Sequence, residues 1–194
     1  MPDSIKDGVG TGYLARVDSD NQLFTRATQI SHIGHHSDVD STAFVIGLHH
    51  TTQVADTTET VGYITYTGTN SLVISYIVFS TEEDSSTNTG YTKFGIWRNP
   101  TVASGTARTE HNLNFSASST LTADIYDNAD GAVAVTMTSG DSVGTVRMKG
   151  TSTLMYDYKD AIILGYGNTI GFKVVTDTAS KKVRVHVFCY EHSE

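Results

Sequence analysis

The sequence predicts an all-β protein: a β-sandwich or jelly-roll-like body preceded by an extended N-terminal hairpin arm. Three observations carry that prediction. The 194 residues include 29 Thr, 19 Ser and 10 Tyr, while charged residues make up only 18% of the chain. Thr, Val and Tyr suit a pleated, half-buried surface, and the strong helix formers are scarce. Only 2 Pro interrupt the chain and 17 Gly are available for turns, so strands run uninterrupted between flexible corners. Short alternating or apolar runs then recur at small intervals from Ala43 onward, as expected for a sandwich.

The arm comes first. Tyr13–Val17 and Gln22–Thr28 flank the polar turn Asp18-Ser-Asp-Asn21, which reads as a hairpin. An isolated hairpin is marginal in water, so this one is expected to dock. Residues 31–42, rich in His, Asp and Ser, read as a polar linker. The arm and linker therefore span 1–42 and the sandwich 43–194. Within the body, strands are expected at 43–48, 61–67, 71–79, 91–98, 132–138, 145–149, 153–158, 161–164, 169–176 and 182–190. The segment Ser119–Tyr126 reads as one helical turn opened by a Ser or Thr cap.

Two strands are informative beyond their existence. In the last, Val183, Val185, Val187 and Cys189 face one way, with Lys182, Arg184, His186, Phe188 and Tyr190 on the other; a one-residue slip would expose the valine row. The run Leu72–Phe79 is apolar on both faces: Leu72, Ile74, Tyr76 and Val78 on one, Val73, Ile77 and Phe79 on the other. Such a strand needs cover on both sides, either a loop or a neighbouring subunit. Tyr76, Phe79, Phe188 and Tyr190 are the residues expected at a subunit interface.

Composition excludes several function classes. The net charge is −8 and no Lys/Arg run is present, which argues against a nucleic-acid partner because phosphate neutralisation supplies most of that affinity. The longest dense apolar run, Leu72–Phe79, is far short of the roughly 20 residues of a spanning helix, so no membrane partner is expected. The polar start lacks the basic-then-apolar order of a secretory signal. The single cysteine, Cys189, precludes an intrachain disulfide framework. Together these point to a chain made in a reducing cytoplasm.

Candidate chemistry is sparse. His32, His35 and His36, with Asp38, Asp40, His49 and His50 nearby, are ligand types that suit zinc or another transition metal. They lie on a linker that fixes no geometry, so solvated or interface histidines are the favoured reading. Asp18, Asp20 and Asn21, and separately Asp124, Asp127 and Asp130, resemble calcium loops but lack the distal Glu and the turn Gly of an EF-hand. Asp and Asn in ordinary turns account for both. Gly140-Asp-Ser142 is a three-residue esterase-like match without a G-x-S-x-G elbow. Glu82, Glu83 and Asp84 share a solvated loop. No enzymatic activity and no cofactor are expected. Trp97 and the tyrosines can offer a sugar-stacking platform, although tyrosine is equally at home on strand surfaces and interfaces.

The N-terminal segment carries a resemblance. Gly10, Gly12, Ala15, Val17, Asp18, Asn21, Leu23, Arg26 and Ala27 follow the pattern G-x-G-x-x-A-x-V-D-x-x-N-x-L-x-x-R-A. This resembles the start of virion structural proteins of tailed bacteriophages. The later order Leu72–Phe79, Trp97-Arg-Asn-Pro100, Asn112-Leu-Asn-Phe115 and Ala123-Asp-Ile-Tyr126 is similar too, though less specific. The resemblance implies a non-enzymatic particle component located in the virion, a capsid decoration or cement protein above all, with neck, tail or fibre positions and a carbohydrate- or receptor-binding module as alternatives. Its partner is then the major capsid protein or another virion protein.

Physical reasoning names the contacts. Tyr13, Leu14, Val17, Leu23, Phe24 and Arg26 are the residues expected to dock the arm on the virion. Burial contributes about 1.5–3 kcal/mol for each large apolar side chain before ordering costs. The two-faced strand and outward Phe188 and Tyr190 favour closed cyclic association, with a homotrimer as the expected state.

Overall fold

Alternation along the chain is realised as antiparallel pairing of the body's strands, with one isolated parallel bridge between His50 and Asn128. The structure is a computed structural model that describes residues 41–82, 90–128 and 133–192, the helical segment 32–37, and the short strands 5–6, 14–17 and 23–24. Two compact units are present, Met1–Ser31 and His32–Glu194.

In the first unit, β1 (Ile5–Lys6), β2 (Leu14–Val17) and β3 (Leu23–Phe24) form a small antiparallel sheet in the order β1-β2-β3. Pairing of Arg16 with Phe24 and Val17 with Leu23 is the expected hairpin, and β1 adds to it through Ile5 opposite Ala15. Among the expected docking residues, Tyr13 and Arg26 lie outside the described residues, as do the side chains of Leu14, Val17, Leu23 and Phe24.

The second unit opens with α1 (His32–His35), where a structureless linker was expected. It continues with β4 (Ala43–Thr51), β5 (Glu59–Tyr66), β6 (Ser71–Glu82), β7 (Tyr91–Arg98), β8 (Thr101–Ala103), β9 (Thr106–Ala107) and β10 (His111–Asn112). Then follow β11 (Ala123–Asp127), β12 (Thr136–Thr138), β13 (Asp141–Lys149), β14 (Thr153–Leu164), β15 (Thr169–Thr176) and β16 (Lys182–His192). One sheet has the order β10-β4-β16-β6-β14, a second β13-β7-β15-β5-β11-β9, and β12 and β8 form a separate ribbon.

The inner faces of the two large sheets make one core. Phe44, Ile46, Leu48, Ile74, Ile77 and Phe79 from the first meet Ile64, Phe94, Ile96, Phe172 and Val174 from the second, all essentially inaccessible. Phe79 crosses the interlayer space, its ring centroid 4.9 Å from Phe94 and 6.4 Å from Phe172. Interdigitation of this kind holds an aligned sandwich together. Val183, Val185, Val187 and Cys189 all point into this core, as the alternation of β16 predicts. Burial pushes the Cys189 thiol well above its ordinary pKa, with Glu191 and Glu110 adding to the effect.

Three expectations are corrected. Ser119–Tyr126 is not a helical turn: Ala123–Asp127 is strand β11, paired with β5 from Ala123 opposite Tyr66 to Asp127 opposite Gly62. Ladder pairing satisfies five consecutive backbones that a single capped turn would leave largely to solvent. Phe79 is not at a subunit surface but in the core. The cause is Ser75, which is left over in the pairing: Phe188 faces Tyr76 while Cys189 faces Ile74. An unpaired residue of this kind is a β-bulge and reverses the phase of everything beyond it. Leu72, Ile74, Ile77 and Phe79 therefore share the inner face.

Tyr190 is likewise covered by its own chain, only 4% exposed, and packs with Ala43 and Val73 beneath Ile33 of α1 and Leu113. His36 stacks on it with ring centroids 4.2 Å apart. The helical segment thus supplies the second cover that the two-faced strand requires at this end.

Candidate interaction surfaces

Pairing register lays out the exposed face of the first sheet row by row. Phe188 stands between Val45 and Tyr76, His186 between Gly47 and Val78, and Arg184 between His49 and Ser80. Of the four residues expected at an interface, Tyr76 and Phe188 remain half-exposed and adjoin each other, with ring centroids 4.4 Å apart and planes inclined by 23°. This offset-stacked pair is a preformed apolar ridge.

Beside it lies a cleft of about 320 Å³ lined by Val45, Gly47, His49, Arg108, His111 and His186. His49 and His186 meet edge to face at 6.1 Å. Gly47 lies beneath both rings, where a Cβ would stand in ordinary van der Waals contact, 3.4 Å from His49 and 3.5 Å from His186. Burial lowers the pKa of His186, and His49 and Arg184 lower it further. Asp127 is fully buried, accepting a hydrogen bond from Arg108 Nε at 2.8 Å and another from the His49 backbone N–H at 2.8 Å. Asp127 belongs to one sheet and His49 to the other, so this carboxylate latches the layers together.

The same geometry bears on the metal and calcium readings. Asp127, a calcium candidate, is committed to Arg108 and His49. Asp18, Asp20, Asn21 and Asp130 lie outside the described residues, as do the side chains of His32 and His35. His36 packs on Tyr190 and its Nδ1 lies 3.3 Å from Thr42 Oγ1. Among the described residues no group of three or more His, Cys, Asp or Glu side chains is placed to hold a metal ion.

The edge of the first sheet is a separate surface. Among the described residues strand β14 pairs with β6 on one side only, and Leu154, Met155, Tyr156 and Ile163 on it are exposed. Its pairing breaks between Asp157, opposite Tyr76, and Ile162, opposite Ile74. In the gap Lys159 and Asp160 adopt φ of 49° and 60°, the left-handed region that non-glycine residues visit rarely. Asp160 is anchored there by the Ser75 hydroxyl, which donates to it at 2.6 Å. Edge strands commonly carry such bulges, which obstruct indiscriminate pairing.

On the second sheet, the outer face gathers cations from three strands. Arg147 and Lys93 are cross-strand partners, as are Lys149 and Tyr91, and Lys173 pairs with Gly95 beside Trp97. A linear sequence without a basic run therefore folds into a basic patch. The Lys173 ammonium lies 4.4 Å from the Trp97 ring centroid and the Arg147 guanidinium 4.6 Å from that of Tyr91. A cleft of about 210 Å³ opens here, lined by Thr58, Lys93, Gly95, Trp97, Ser142, Thr145 and Lys173 among others. Ser142, singled out for its esterase-like context, has no histidine or carboxylate beside it among the described lining residues.

No family model matches the chain, and no curated protein matches it. Among solved structures it is similar to the protein of T=1 particles derived from infectious bursal virus, at 12% identity and a TM-score of 0.20. All of this chain is covered but only 46% of that one, so this chain spans less than half of that protein's length. A likeness at that score carries no argument about either fold or role.

Proposed function

We propose that the chain is a structural component of a tailed-phage virion, a decoration or cement protein that binds the capsid surface through its N-terminal unit. One observation carries this reading: the residues that match the phage pattern, Gly10 to Ala27, fall within a compact unit, Met1–Ser31, distinct from the sandwich. A three-stranded sheet with strands of two to four residues is marginal by itself. Docking on a particle exchanges its chain entropy for burial and backbone pairing.

The body suits association between copies. Tyr76 and Phe188 form a half-buried aromatic ridge on the outer face and β14 offers an apolar edge, which together favour a homotrimer in which repeated arms add avidity without new contacts. The test is deletion of residues 1–28. The truncated chain is expected to keep its β-rich circular dichroism spectrum and lose at least tenfold in binding to particles that lack the protein. Full occupancy by the truncated chain would overturn the anchoring role of the arm.

A further inference from the structure

We infer that the outer face of the β13–β7–β15 sheet is a binding site for an acidic saccharide, with the Trp97 cleft as its centre. This stands independently of where on a particle the chain resides.

Charge is the first ground. Lys93, Arg147, Lys149 and Lys173 are four of only 13 Lys and Arg in a chain of net charge −8. Cross-strand pairing nevertheless gathers all four on adjacent strands. Like charges directly opposite one another, as Lys93 and Arg147 are, destabilise a sheet. Among the described residues no carboxylate ion-pairs with any of the four. Elsewhere Arg108 is paired with Asp127, Lys181 with Asp177 and Arg184 with Glu82, while Arg98 and Lys159 stand singly on the described surface rather than in a cluster. Among the described residues the carboxylate of Asp56 stands at the edge of this cluster, accepting from the Tyr91 hydroxyl at 3.1 Å; four cations without an ion pair among them fit a ligand that supplies an anion.

Shape and lining chemistry identify the ligand class. Gly95 lets the indole of Trp97 lie along the sheet, since a Cβ there would stand 3.0 Å from the indole Nε1. The cation–π contact holds the Lys173 ammonium against that ring instead of leaving it in solvent, which fixes a positive charge beside an apolar edge. Around them stand the hydroxyl-bearing Thr58, Ser142 and Thr145 and the ammonium of Lys93. Apolar edge, hydroxyls and fixed cations within one cleft match the three surfaces of a sugar ring that bears an acid group: its C–H face, its hydroxyls and its carboxylate or sulfate. The simpler expectation of a sugar stacked on the bare Trp97 face is modified, because Lys173 occupies a face of that ring.

The cleft's size also discriminates. At about 210 Å³ it accommodates a single ring rather than a strand of stacked bases. Among the described residues the two aromatic side chains placed at the patch, Trp97 and Tyr91, each already carry a cation. A single-stranded nucleic-acid groove instead presents open rings in succession.

The test is titration of the full chain by calorimetry with an oligogalacturonate, a sulfated oligosaccharide, the methyl-esterified neutral oligogalacturonate and a mixed-sequence oligonucleotide. One or both acidic saccharides are expected to bind, with an affinity that falls as salt rises, and the neutral ester at least tenfold more weakly. Which acidic probe binds distinguishes a carboxylated from a sulfated ligand. Lys93→Gln, an exposed change that leaves the fold intact, is expected to weaken binding about threefold or more. Trp97→Ala is expected to abolish it. No binding by either acidic saccharide, equal binding of the neutral ester, tighter binding of the oligonucleotide, or an unchanged affinity in Lys93→Gln would each overturn the inference.

Discussion

Phe79 lies in the core because a single residue, Ser75, finds no partner in β16. Its ring touches Phe94 and Phe172 of the opposite sheet, so Phe79→Ala leaves a cavity between layers and is expected to cost about 3–5 kcal/mol in urea unfolding. Phe188→Ala, which removes a half-exposed ring from the outer ridge, is expected to cost clearly less. If the two variants unfold at the same urea concentration, the assignment of faces is wrong. His186 gives a second residue-scale prediction. Burial, His49 and Arg184 hold its pKa below the ordinary value, so the unfolded chain takes up this proton more readily than the folded one. The stability linked to His186 is thus complete above the unfolded pKa of about 6.5 and is lost as pH falls through the lower folded value. An imidazole NMR titration checks it: a midpoint for His186 at or above that of a model peptide contradicts the prediction.

Single elements explain what could be read in advance. The alternation of β16 was legible because its partners β4 and β6 hold it in register along most of its length. The inner valine row follows from that pattern alone. The strand Leu72–Phe79 was legible as a strand but not in its phase, because no local signal marks Ser75 as a bulge in a run where both faces are apolar. The expected strands 153–158 and 161–164 are one strand interrupted by the Lys159–Asp160 bulge, and Asp160 is fixed by Ser75 from a distant part of the chain. The two irregularities sit opposite each other and neither is visible in its own sequence window. Strand β14 also carries a prediction. Met155 is 61% exposed on its edge, so Met155→Lys is expected to change stability by under about 0.5 kcal/mol. The added charge should reduce self-association, because a lysine on an edge opposes pairing with another chain. Sedimentation at several concentrations measures this, and an unchanged assembly state would remove β14 from the interface between copies.

At the level of the whole molecule, two units divide the work proposed here. The sandwich was legible from composition and strand spacing, since Thr-rich alternating runs have few other ways to bury a core. Its surfaces were not: the basic face and the histidine cleft each combine residues from distant strands, as Lys93 with Arg147 and Arg108 with Asp127 and His49 illustrate. The β2–β3 hairpin was legible in the opposite sense, because its two strands lie close together in the chain and require no long-range pairing. The central claim, that this chain decorates a phage capsid through its N-terminal arm, is tested most directly by imaging particles assembled with and without the chain. The account predicts additional density at symmetry-related positions on the capsid surface, lost when residues 1–28 are deleted. Identical capsid surfaces in the two preparations, or added density confined to the neck or tail, would contradict it.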